Sequence, residues 1–240
     1  MSAQWALGAL IVAVASFVHG LAGFGIGLVS LAFLPLIMSP VTAIVLMTIY
    51  TVGFSLGMLV PLRREVERQA LALLALGTVA GTPVGVWVLA ALPAQVLTRL
   101  IGLTLIVTVL LEWRGVYPER LPGRGWALGA GVAAGIAGGA VGTPGPPVIL
   151  YTAAQPWSPR RTKATLQAFF LANQSAILLG YWRTGLLTRD VWQATVVFAV
   201  PGALALVAGI ALFNRVDQAR FRRIVFAVLA VSGAVLLVRG

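Results

Sequence analysis

An all-α, polytopic membrane fold is what this sequence predicts, on three observations. Of the 240 residues 60% are hydrophobic and only 10% charged, against about 25% charged in a soluble domain. The runs Val41–Leu62, Ala70–Pro93 and Val191–Phe213 carry no charge, and each supplies the ~20 helical residues that cross a hydrocarbon core of about 30 Å. No stretch alternates apolar and polar residues as a membrane β-strand does. Lipid offers no partner to a free backbone amide, so helices remain as the spanning element.

Taken in order, the chain opens on a Gly-rich region, Ala3–Met38, and continues through Val41–Leu62, Ala70–Pro93 and Leu97–Trp113. The polar stretch Arg114–Arg124 marks a boundary between a first half, 1–120, and a second, 121–240. The second half again opens Gly-rich, Trp126–Pro156, before Ala164–Trp182, Val191–Phe213 and Ile224–Val238. Shifting the chain by 119 residues pairs Gly20 with Gly139, Gly23 with Gly142, Val29 with Val148, Leu31 with Leu150 and Ser39-Pro40 with Ser158-Pro159. Two homologous halves of one membrane domain are therefore expected.

The two openings are the unusual elements. The first contains Gly20, Gly23, Gly25 and Gly27, and the second Gly138, Gly139, Gly142, Thr143, Pro144, Gly145, Pro146 and Pro147. Pro144, Pro146 and Pro147 each lack an amide donor and clash with a preceding helical turn, so the helix must break near 143–147. Irregular backbone at membrane depth is tolerated only where protein buries it or where it lines a polar cavity. Close packing through small residues explains Gly129, Gly131 and Gly135 without invoking a break.

Charge then predicts the topology. If each opening enters and returns as a broken helical hairpin, 13 of the 17 Lys and Arg fall on one side, in the loops holding Arg63, Arg64, Arg68, Arg114, Arg120, Arg124, Arg160, Arg161, Lys163, Arg215, Arg220, Arg222 and Arg223. Arg99, Arg183, Arg189 and Arg239 fall on the other. If each opening crosses once, the split of the same 17 is 9 to 8. The positive-inside rule prefers the hairpin. It places both termini outside and inverts the second half relative to the first, a plan used by transporters with broken helices at the midplane. Eight single crossings in two parallel halves is the alternative.

Composition excludes several functions. The net charge of +11 sits in short loops, where basic residues anchor topology at anionic headgroups, so nucleic acid is not an expected partner. With no cysteine and one histidine, no metal site, cofactor or intramembrane nucleophile is called for, and an enzyme has nothing to be built from. The first residues have no positive region, so a cleaved signal peptide is not expected. Glu65, Glu67, Glu112, Glu119, Asp190 and Asp217 lie in loops or at segment ends. A membrane interior without carboxylates suits anionic cargo.

Candidate binding residues follow from that chemistry. A helix start offers unbonded amides and a partial positive charge, and glycine lets the backbone approach an anion. The helices expected to restart after Gly27 and after Pro147 would present Gly23, Gly25, Gly27, Gly142, Thr143 and Gly145. On the next segment of each half, Thr48 and Ser55 match Gln167 and Gln174 at the 119-residue shift. Each pair is spaced by seven and shares a helical face, either as a lining or as ordinary interhelical hydrogen bonds. Asn173 points about 100° away from Gln174 and is set aside. His19, an ionisable group within an apolar segment, is the candidate for gating or proton coupling; a place at the interface is the plainer reading.

These residues resemble the TauE/SafE sulfite exporter family of bacterial membrane permeases, across essentially the whole chain. The resemblance rests on Ala22–Gly27, on Gly142–Tyr151 and on Arg160–Phe170; the three-glycine run common in that family is absent. It implies a multi-pass protein of the cytoplasmic membrane that moves, most simply as an exporter, a small sulfur-containing anion such as sulfite or a sulfonate. Its partners would be that anion and the bilayer, with room for a homo-oligomer. An anion channel of the same fold and a non-transporting scaffold subunit are the competing readings.

Overall fold

The computed structural model describes residues 3–115, 121, 123–212 and 216–239. Glu119, Arg120 and Arg215, positions 116–120 and 122 of the expected boundary, and the side chain of Arg222 lie outside what is described. The described residues form ten α-helices and no strand. In the first half these are α1 (Ala3–Ala22), α2 (Ile26–Phe33), α3 (Pro40–Leu59), α4 (Arg68–Ala91) and α5 (Ala94–Trp113). In the second they are α6 (Arg124–Val141), α7 (Gly145–Ala153), α8 (Pro159–Arg183), α9 (Arg189–Leu212) and α10 (Gln218–Arg239).

One order of lengths therefore occurs twice: 20, 8, 20, 24 and 20 residues, then 18, 9, 25, 24 and 22. Each Gly-rich opening is one long helix followed by one short one, and each plainer segment is a single helix. By length and composition α1, α3 with its 3-10 extension to Glu65, α4, α5 and α9 can each cross a membrane, so the protein is a multi-pass membrane protein.

Backbone chemistry sets the interruptions. After α1 the chain passes through Gly23 and Gly25 at φ 79° and 99°, a region that L side chains avoid and glycine enters freely. α6 ends on Gly142 at φ 67°, whose amide donates to the Ala137 and Gly138 carbonyls. α7 begins at Gly145 with Pro146 and Pro147 in its first turn, where an amide has no helical acceptor and a fixed φ assists the start. This corrects the expected restarts. α2 resumes ahead of Gly27 and α7 ahead of Pro146, because two of the three prolines begin a helix rather than interrupt one.

The helices group into two compact units, each drawing on both halves of the sequence. One holds α1, α2, α5, α9, α10 and α3 up to Met47; the other holds α3 from Thr48, with α4, α6, α7 and α8. In the first unit α1 lies along α9, α5 along α10, and α2 rests on α1, α5 and α10. A Cβ on Gly20 would overlap the Leu206 carbonyl, and one on Gly209 the Phe17 carbonyl. In the second unit α4 lies along α6, with Gly77, Gly81 and Gly85 facing Gly131, Gly135 and Gly139. A glycine at every fourth position on both helices lets two backbones touch, and such contact holds helices together where lipid is as apolar as the side chains. Gly129, expected to serve packing, has nothing within 4 Å of where its Cβ would stand.

Candidate functional site

In the first unit the candidates His19, Gly23, Gly25 and Gly27 surround the junction between α1 and α2. His19 occupies the last turn of α1 and is 1% exposed. Its carbonyl accepts the Gly23 amide at 2.7 Å. The chain turns sharply at Gly25, where a Cβ would come within 3.9 Å of Val18 Cγ1. The Val29 amide donates to the Gly25 carbonyl at 2.9 Å. Ile26, Gly27 and Leu28 precede it and have no acceptor within α2, and all three residues are buried. The hydroxyls of Ser16 and Ser30, both 0% exposed, have no hydrogen-bond partner. The sequence reading passed over both, since a lone serine in an apolar run gives no signal.

In the second unit Gly142, Thr143, Pro144 and Gly145 form the junction between α6 and α7. α7 has a helix start of a different kind. Its cap is Pro144, and Pro146 and Pro147 follow Gly145, so Gly145 alone of these four bears an amide donor. The polar groups near this start belong to side chains. Thr143 is 4% exposed with its hydroxyl unpartnered, and Asn173 is 1% exposed with both its Oδ1 and its Nδ2 unpartnered.

Asn173 lies over the junction. A Cβ on Gly138 would stand 3.5 Å from Asn173 Nδ2 and 3.1 Å from Pro144 Cβ, while one on Gly145 would stand 3.9 Å from Phe170 Cζ. Phe170, Asn173 and Ile177 are thus the face of α8 turned to the junction. One turn further the Tyr181 hydroxyl donates to the Gly139 carbonyl at 2.7 Å and is hydrogen-bonded to the Thr48 side chain. Thr48 therefore makes an interhelical bond.

Ser55, Gln167 and Gln174 are buried, and neither Ser55 Oγ nor Gln174 Oε1 has a partner. Both members of each spaced pair do share a buried face. Asn173 was passed over because a narrow pore cannot be lined by two adjacent residues. In the fold α8 is covered by α4 as well as by α6 and α7, so residues about 100° apart are both enclosed.

Each unit also carries a surface cleft. The first, of about 210 Å³, is lined by Gln4 and Trp5 at the start of α1, by Ile37 to Ser39 and Thr42 around the start of α3, and by Asp190 and Ala194 of α9. The second, of about 270 Å³, is lined by Gly123 and Arg124 at the start of α6, by Tyr151, Gln155 and Trp157 ahead of α8, and by Glu67, Gln69 and Leu73 at the start of α4. The same elements of the two halves build both. At the second, Arg161 Nη1 pairs with Glu67 Oε2 at 3.3 Å, and the Glu67 amide donates to Thr165 Oγ1 at 3.0 Å.

A family model, "Sulfite exporter TauE/SafE", matches residues 8–236. Comparison with curated proteins and with solved structures gave no match.

Proposed function

The chain belongs to the TauE/SafE sulfite exporter family, and from that premise we propose that it is a permease moving sulfite, a sulfonate or a related small sulfur-containing anion outward across the bacterial cytoplasmic membrane. One observation carries the reading: in each unit a helix within the apolar chain stops and restarts beside buried polar groups. Backbone broken in this way requires enclosure by protein or a polar space. In the first unit the amides at the start of α2, and in the second Thr143, Gly145, Ser55, Gln167 and Gln174, each offer donors without a fixed positive charge that would hold the cargo fast. His19, buried in the first unit, is the group of this reading that can take up a proton.

The halves are proposed to be inverted, each opening being a hairpin that enters and leaves by one face, with both termini outside. The clefts support this. Trp5 and Ser39 line one cleft, at the two ends of the first opening, and Arg124 and Trp157 line the other, at the two ends of the second. Openings that crossed the membrane once would part these residues by its full thickness.

Flux of radiolabelled sulfite in proteoliposomes tests the function. A carrier saturates and shows counterflow, whereas a channel shows neither. Absence of flux for every sulfur oxyanion and sulfonate tried would return the protein to the scaffold reading.

A further inference from the structure

The prolines of α7 take away donors that a helix start normally presents, and Asn173 stands against the turn that leads into it, by Gly138 and Pro144. A buried carboxamide has two N–H donors and a carbonyl acceptor. Leaving such a group unpaired inside protein is costly, and neither polar atom of Asn173 has a protein partner. Gly138, Pro144, Gly145, Phe170 and Ile177, which meet at this junction, bear no charge.

We propose that Asn173, with Thr143 of the turn ahead of α7, is the specificity-determining residue of this start, and that it selects a monoanion bearing its own O–H or N–H donor, such as hydrogensulfite. The inference rests on the permease reading and narrows its substrate. An oxyanion that only accepts would pair with Nδ2 and leave Oδ1 facing oxygen. An anion with one donor pairs with both. A dianion suffers further, because desolvation rises with the square of the charge and the residues named at this junction offer no positive charge to repay it. The Thr143 hydroxyl, donor and acceptor in one group, has the same dual character.

Sulfamate and methanesulfonate test this, being monoanions of one shape in which an amino group replaces a methyl. The full chain is reconstituted and each is used to inhibit labelled sulfite flux at one pH. In the unaltered protein sulfamate should inhibit at about tenfold lower concentration, the worth of one hydrogen bond of ~1.4 kcal/mol. Asn173→Leu, close in shape and without polar atoms, should bring the two inhibitory concentrations together. Thr143→Val should narrow the gap if Asn173→Leu does not yield folded protein. Equal inhibition by the two anions in the unaltered protein, or a gap that survives in both variants, overturns the role of Asn173 while leaving the permease standing. No flux in the unaltered protein of sulfite or of any other sulfur oxyanion or sulfonate overturns both.

Discussion

Gly129 and Gly131 sit two residues apart on α6 and meet opposite surroundings. A Cβ on Gly131 would overlap the Leu74 carbonyl of α4, whereas one on Gly129 meets nothing within 4 Å. Gly131→Ala should therefore force α4 from α6, an overpacking cost of about 1–3 kcal/mol, and lower the melting temperature in detergent. Gly129→Ala should leave it unchanged or raise it, since alanine favours a helix by about 1 kcal/mol over glycine. Equal melting of the two variants would sink the glycine seam. Glycine abundance was legible in the sequence, but its partners were not. Gly77, Gly81 and Gly85 acquire meaning only when α6 presents Gly131, Gly135 and Gly139 to them, and no local pattern joins segments so far apart. Asn173 stayed hidden for a related reason, because its burial depends on how many neighbours cover α8.

The short helices α2 and α7 are equivalent in order and unlike in chemistry. α2 begins with the amides of Ile26, Gly27 and Leu28 ahead of its first helical bond. α7 has Pro146 and Pro147 at the corresponding places. The interruptions were legible, because glycine and proline carry their backbone preferences with them. Their edges were not, because proline can end one helix or open the next, and only the left-handed cap at Gly142 decides which. If the start of α7 meets the cargo, restoring its donors should tighten the hold. The double change Pro146→Ala, Pro147→Ala keeps residues that favour a helix and returns two amides. Half-saturation for sulfite flux should then fall several-fold, and the maximal flux should fall with it as release slows. Unchanged or weaker half-saturation would separate α7 from the cargo path.

At the scale of the whole chain, sequence halves and packed units do not coincide: α1 lies along α9 and α6 along α4, so the long opening helix of each half rests on the fourth helix of the other. The repeat in the sequence announced the order of elements and was silent on this exchange, which arises from pairings between distant glycines. Topology is where charge and geometry meet. The count of basic residues groups Ser158 with Arg160, Arg161 and Lys163 inside and leaves Ser39 outside, and the shared lining of each cleft joins the two ends of each opening. The chain has no cysteine, so a single introduced thiol reports without background. Ser39 and Ser158 are both exposed and stand 119 residues apart at matched places. In sealed inside-out vesicles a membrane-impermeant maleimide should label Ser158→Cys and spare Ser39→Cys, and in right-side-out vesicles the pattern should reverse. Ser158 accepts the Arg161 amide at the start of α8, so its replacement costs about 1 kcal/mol, too little to turn the protein over in the membrane. Labelling of both positions from one face would restore the parallel arrangement, in which each opening crosses once and Trp5 and Ser39 stand on opposite faces. Labelling from opposite faces requires an odd number of crossings between the two positions, and that oddness inverts the second half.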